Sequence, residues 1–282
     1  MKCDWHALLR LLPQRMRPKV DVIGRDSLQE IRLRIGQAPH LVLRDSCAWL
    51  DGTVNEDDLN FTVNAASQYS PWSASTVSSG YITAQGGHRV GICGRVAVLD
   101  GKVQTVRNIT SLCIRVARDF PGIANGAVDL TGSILIIGSP GRGKTTLLRD
   151  LIRQKANMVS STVAVVDERC ELFPISCGGF CFPPGKHMDV LSGCSKVDGI
   201  EVLIRTMNPN YIAVDEITAV EDCHAIVRAK GCGVSMLATA HAADMDDLLE
   251  RKVYRTLWEE NVFQIFLVMQ PDKSWKVERM NI

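Results

Sequence analysis

Residues 138–145 read GSPGRGKT. Gly138, Gly141 and Gly143 let main-chain amides approach an anion closely, and Lys144 adds a full point charge. The stretch satisfies G-x-x-x-x-G-K-[ST] in full, with Ser139, Pro140 and Arg142 at variable positions, and is the pattern of a polyphosphate cradle. Thr145 sets a hydroxyl where magnesium between the β- and γ-phosphates needs an oxygen ligand, and Thr146 extends the cradle. The ligands expected here are therefore ATP and Mg²⁺.

A cradle binds without hydrolysing. Residues 211–216, YIAVDE, supply two carboxylates at the end of an apolar run. Asp215 would be expensive to bury without a cation nearby, which assigns it to the magnesium shell. Glu216 is assigned to polarising the attacking water. Two more apolar runs end in reactive groups: VAVVDER in Asp167, Glu168 and Arg169, and SMLATAH in Thr239 and His241. Parallel strands deliver their C-terminal ends to one crevice, so these groups are expected to face the γ-phosphate together.

The elements that must position them follow from the pattern. SILIIG precedes the loop and KTTLLRDLIRQKA follows it. TVAVVDE, GIEVLIRTM, YIAVDE, AVEDCHAIVRAKG, VSMLATA, DMDDLLERKVYRTL and FQIFLVM with WKVERM continue an alternation of apolar strands and helix-like segments. Strands apolar on both faces and separated by helices predict a doubly wound, mainly parallel α/β domain over 126–282. Before it the signals are mixed. LQEIRLRI alternates as a strand, Asn55 caps an acidic helix start, and Gly86–Gly87 separate two alternating runs as in a hairpin. Leu112, Ile114 and Val116 form a further alternating run. A smaller α+β domain over 1–125 is expected, joined through PGIANGAVDLTG.

Length, 282 residues, suits two domains, and a formal net charge of +1 gives no global pull toward nucleic acid or acidic lipid. Residues 1–44 nevertheless carry nine Lys or Arg against four Asp or Glu. The opening MKCDWHALLRLLPQRMRP is too short and too interrupted for a secretory signal, and no run approaches the ~18 apolar residues of a membrane span, so a cytoplasmic chain is expected. The ten cysteines are then free thiols by default. Cys177 and Cys181, near His187 and Cys194, come within ligand reach of one another but lack the second pair of a zinc site.

The order of phosphate loop, VVDER, PNYIAVDE and ATAH resembles the secretion and traffic ATPases of bacterial pili and of type II and type IV secretion. EIRLRIG, GYITAQGGHRVGICGR, ITSLCIRVAR, VLSGCSKVDGIEVLIRTMNPNYIAVDEI and ATAH are most similar to the stage III sporulation protein AA branch, over nearly the whole chain. The resemblance implies a RecA-like ATPase domain and a homo-oligomeric, hexameric ring. It implies an ATPase powering the mother cell–forespore channel complex of endospore formers, held at the mother-cell side of the membrane by embedded channel proteins. It makes Asp167 and Glu168 an acidic box, Glu216 the catalytic glutamate, Glu221 the acid after it and His241 a sensor of nucleotide state. Lys186 stands where an arginine acting in trans is implied, with Arg205, Arg169 and Arg142 as substitutes; lysine lacks the bidentate grip of a guanidinium. Pro71 and the serines of QYSPWSASTVSSG replace a helix-favouring stretch.

Two other functions fit the same residues. A nucleic-acid-associated P-loop ATPase would use the basic first domain, with HRVG after the Gly86 turn, as its grip; aromatics interleaved with the charges, as a single-strand platform wants, are missing. A nucleotide-gated scaffold would bind ATP without hydrolysing it and would have no use for Glu216.

Overall fold

The computed structural model describes residues 1–68, 80–99, 102–176 and 179–279. The stretch around Pro71 and Cys177 of the cysteine group lie outside these. In chain order the strands are β1 (Leu28–Arg34), β2 (His40–Leu43), β3 (Cys47–Trp49), β4 (Tyr81–Thr83), β5 (Arg89–Leu99) and β6 (Lys102–Arg115). Then follow β7 (Ile134–Ile137), β8 (Val163–Asp167), the short pair β9 (Ile175–Ser176) and β10 (Gly179–Phe180), and β11 (Met188–Ser192). The last four are β12 (Tyr211–Ile217), β13 (Ser235–Ala240), β14 (Ile265–Met269) and β15 (Trp275–Arg279). Contacts divide the chain into two units at Asp119/Phe120, ahead of the boundary expected at 125/126. Residues Pro174–Phe182 leave the second unit to join the first.

The first unit is α+β. Its antiparallel sheet runs β3-β2-β1-β6-β5-β4, and Leu28, Ile31 and Leu33 on β1 join Leu8, Leu12 and Leu59 in its core. Helix Glu56–Ser67 starts where expected: Asn55 accepts from Asp58 N at 2.9 Å, and Asp58 answers by accepting from Asn55 N at 3.0 Å. Arg15 pairs with the same Asp58, and Arg32 with Glu30 at 2.8 Å. Several cations of the basic stretch thus serve this unit's own structure. The histidine of HRVG is not a surface grip at all: His88 is buried, donating from Nε2 to Asp4 O at 2.9 Å and accepting from Ala117 N at Nδ1 at 3.1 Å.

The second unit carries a seven-stranded sheet in the order β11-β8-β12-β13-β7-β14-β15, parallel except for the closing β14–β15 hairpin. β7, β8 and β14 are buried along their whole length, as runs apolar on both faces demand. Leu135, Ile137, Val166 and Val214 share one core with helices Lys196–Met207 and Val220–Gly231. Their strand neighbours point to the opposite face. Helix Lys144–Lys155, whose buried leucines lie outside that core, packs on β7, β12 and β13.

Two segments differ from the pattern-based reading. β11 is an edge strand pairing in parallel with β8; partly exposed, it lacks the apolar run that marks the central strands. The helix-like stretch over 245–258 breaks into Met245–Glu250, a 3₁₀ turn at Lys252–Tyr254, and Arg255–Glu259. Arg251 turns extended between them, with ψ 110°, while its guanidinium pairs with Asp247 at 2.9 Å and Tyr254 Oη donates to Ile217 O at 3.2 Å. Among the described residues no helix is long and apolar enough to cross a membrane. Among them, too, no three or more His, Cys, Asp or Glu are grouped to hold a metal ion by themselves.

Candidate functional site

β7 runs directly into the glycine loop, and helix Lys144–Lys155 leaves it. Gly141 and Gly143 sit at φ 76° and 97°, a region that favours glycine. Gly138 is needed for another reason: a Cβ there would lie 2.7 Å from Met269 Cβ on β14. No side chain caps the helix at Gly143, so its first amides are left for a ligand. Gly141, Gly143, Lys144, Thr145 and Thr146 line a cleft of about 330 Å³ with Glu171, Asp215, Glu216, Thr239 and His241. Ser139 contributes its carbonyl to Lys144, and Pro140 is exposed at the loop's tip. Arg142 turns aside and donates to Pro271 O at 2.8 Å.

The ends of β12 and β13 meet this loop. Asp215 accepts from Thr145 Oγ1 at 2.7 Å and from Thr239 Oγ1 at 2.5 Å. Thr239 Oγ1 in turn accepts from Glu216 N at 2.7 Å. In a regular strand, Asp215 and Glu216 would point to opposite faces. Here the register with β13 slips between Val214 and Ile217, and Glu216 takes φ 54°. This bulge turns both carboxylates to the cleft.

Lys144 is nearly buried, and its ammonium donates to Gly138 O at 2.7 Å and Ser139 O at 3.1 Å and contacts His241 Nδ1 at 3.0 Å. Burial pulls its pKa below the ordinary lysine value, with Asp215 and Glu216 opposing. An ammonium can only donate, so Nδ1 accepts and the imidazole carries its proton on Nε2. That nitrogen donates to Glu216 Oε1 at 2.9 Å, and Arg169 holds Glu216 Oε2. Lys144, His241, Glu216 and Arg169 thus form one chain of hydrogen bonds across three strand ends.

The acids of VVDER behave differently. Asp167 is buried and does not face the cleft: its oxygens accept from the amides of Glu171, Leu172 and Phe173 at 2.8 to 3.1 Å. Burial raises its pKa despite those amides. With Arg149, which donates to the carbonyls of Glu171 and Leu172 at 2.6 Å, it fixes the loop that brings Glu171 to the cleft. Glu168 is held by Lys196 at 2.6 Å and lines a smaller recess with Arg169, Asp215 and Glu216, beside the phosphate cleft rather than in it. Glu221 is exposed on the first turn of its helix; the neighbouring Asp222 makes the local bonds, accepting from Thr218 N and Ala219 N. Lys186 is exposed, and Arg205 pairs with Glu201 on its own helix at 3.1 Å.

A second cavity, of about 600 Å³, adjoins the loop on its other side. Trp275 and Met269 line it with Phe120 and Ile123. Sequence reasoning missed it, because its walls come from segments far apart in the chain and none carries a recognisable spacing.

A family model described as "Sporulation stage III, protein AA" matches residues 5–278. The stage III sporulation protein AA of Bacillus subtilis (strain 168) is 35% identical over 280 residues, 95% of this chain and 91% of that protein. The crystal structure of the pilus retraction motor PilT with bound ADP is similar at TM-score 0.63 and 15% identity, covering 94% of this chain and 81% of that one. The Legionella pneumophila ATPase DotB gives TM-score 0.55 at 16% identity, covering 89% and 76%. Likeness at these identities speaks for the fold: a RecA-like, doubly wound, mainly parallel sheet preceded by a smaller α+β unit.

Proposed function

Because the chain belongs to the stage III sporulation protein AA family, we propose that it is a magnesium-dependent ATPase of the secretion-motor type. It assembles as a ring, hexameric by the resemblance, and powers the channel complex between mother cell and forespore. Its place is the cytoplasmic, mother-cell side of the membrane, where embedded channel proteins hold it. One observation carries the ATPase reading: Asp215, at the end of β12, meets Thr145 of the phosphate loop at 2.7 Å while Glu216 beside it meets His241 at 2.9 Å.

The hydroxyl of Thr145 and the carboxylate of Asp215 are adjacent hard oxygens beside a phosphate loop, the donor set that magnesium takes with nucleotide oxygens. Magnesium bound there would neutralise charge on the β- and γ-phosphates. Lys144 exchanges its contacts with Gly138 O and Ser139 O for phosphate oxygens, recovering in a charge-assisted bond what burial cost it. Glu216 orients the attacking water. Both its oxygens are engaged, so this step requires Arg169 or His241 to release one. His241 touches Lys144 and Glu216 together and so couples phosphate occupancy to the position of the glutamate. Glu168 acts through the recess behind Glu216, and exposed Lys186 or Arg205 is free to serve a neighbouring subunit's site.

Phosphate release with and without magnesium, measured alongside nucleotide affinity, tests the reading. Lys144→Ala is expected to lose both binding and turnover. Glu216→Gln is expected to keep nucleotide affinity and lose turnover by about 10²-fold or more. A Lys144→Ala protein with full activity removes the assignment, and a Glu216→Gln protein unchanged in rate and affinity replaces the motor by a nucleotide-gated scaffold.

A further inference from the structure

The cavity beside the phosphate loop has a definite continuity with the phosphate cleft: Gly141, Gly143 and Thr146 line both. A ligand whose phosphates occupy the first would carry its remaining group into the second. That second space is apolar and aromatic. Met269 packs under the loop, its Cβ where a Gly138 side chain would be and its Cε 3.8 Å from where a Gly143 Cβ would be. The ring of Trp275 lies against the turn at Gly126 and is fixed there by its Nε1, which donates to Ile123 O at 3.0 Å.

The polar groups along this wall are already used. Ile123 O takes the Trp275 proton, and Pro271 O takes Arg142 Nη1 at 2.8 Å. Ser274 spends its hydroxyl and amide on Asp272 Oδ1, at 2.6 and 2.9 Å, and its carbonyl on Gln270 N at 2.8 Å. Thr146 sits at the phosphate end. What remains on the wall is the Lys273 ammonium, and adenine and guanine offer it the same N7 acceptor.

We propose that this cavity is the base subsite of the nucleotide, holding a purine ring against Trp275 and Met269 by stacking and packing, without separating adenine from guanine. A ring held by its face is selected by area, so a two-ring purine gains more than a one-ring pyrimidine. Discrimination between purines would need groups aimed at the exocyclic positions, and those here are committed elsewhere.

This rests on the nucleotide reading, and the test separates the two. The full chain with magnesium is titrated calorimetrically with ADP, GDP, CDP and inorganic tripolyphosphate, as wild type, Trp275→Ala, Trp275→Phe and Lys144→Ala. ADP and GDP are expected to bind within about threefold of each other, and CDP about tenfold more weakly. Trp275→Ala should weaken ADP and GDP by about tenfold, bring them level with CDP and leave tripolyphosphate unchanged, while Trp275→Phe keeps most of the purine preference. Tripolyphosphate affinity reports that the alanine variant is folded at the phosphate loop. A Trp275→Ala protein that binds ADP like wild type, or a wild type that prefers ADP to GDP by more than about tenfold, overturns the proposal. If tripolyphosphate and all three nucleotides bind equally to wild type, the base subsite falls and the phosphate reading stands. If none binds, or if Lys144→Ala binds as wild type does, the nucleotide reading fails and the subsite with it.

Discussion

Burial lowers the pKa of His88 below its ordinary 6.5, with the Asp4 carbonyl and carboxylate opposing and the charge of Arg118 assisting. The neutral ring is needed, since Nδ1 must accept from Ala117 N. In the unfolded chain the same histidine takes up a proton near pH 6.5. Its contribution to stability is therefore present above that pH, declines as pH falls below it, and stops changing once the folded-state value is passed. The first unit is expected to lose unfolding midpoint between pH 7.5 and 5.5. His88→Gln, which titrates nowhere in that range, should be less stable at neutral pH by ~1–3 kcal/mol but show a shallower decline. Chemical denaturation at several pH values checks this, and an equal slope in both proteins sinks it. Cys223 shows burial acting on a thiol: its pKa is pushed to about 12, and Sγ meets Val253 O at 3.2 Å, so this cysteine is inert.

Close packing between elements positions the site from behind. Helix Lys196–Met207 lies on β8 through Gly199, where a Cβ would come 2.5 Å from Val166 Cγ1 and 3.0 Å from Cys194 Sγ. The helix carries Lys196, which holds Glu168, so its height above the sheet matters to the recess behind Glu216. Gly199→Ala is expected to destabilise the second unit by about 1–3 kcal/mol. Val166→Ala vacates the same space, so the double variant should cost clearly less than the sum of the two single ones. Urea unfolding of the four proteins measures the coupling; additive values would mean the helix and strand do not meet there. The bulge in β12 is an element-scale device of the same kind, trading one regular ladder step for two acids on one side.

Two units with separate cores imply that the molecule need not melt as one. The phosphate cleft and the cavity beside it are lined wholly by second-unit residues. Magnesium–ADP at 100 times its dissociation constant should raise that unit's stability by about 2.7 kcal/mol and leave a first-unit transition where it was. Differential scanning calorimetry with and without the nucleotide reads both. A single transition that moves as a whole would show that folding of the two units is coupled. The chain itself joins them: from the loop fixed by Asp167 and Arg149 it passes straight into Pro174–Phe182, which packs in the first unit.

Much of this was legible in the residues alone. The phosphate loop was, because its geometry is local: glycine spacing, a lysine and a hydroxyl, with a buried strand before and a helix after. The parallel sheet was, because burial on both faces leaves a continuous apolar run that no other environment tolerates. Asp215, Glu216 and His241 could be named as strand-end groups on the same grounds. Which way each pointed could not. Asp167 and Asp215 end similar apolar strands, yet one is buried on three loop amides and the other faces Thr145. The difference lies in a bulge set by pairing with β13 and in a loop held by Arg149 from another helix. The wall of Trp275 and Met269 likewise exists only because β14 folds beside β7. Such convergence depends on strand order and packing between distant segments, and short-range pattern carries no record of either.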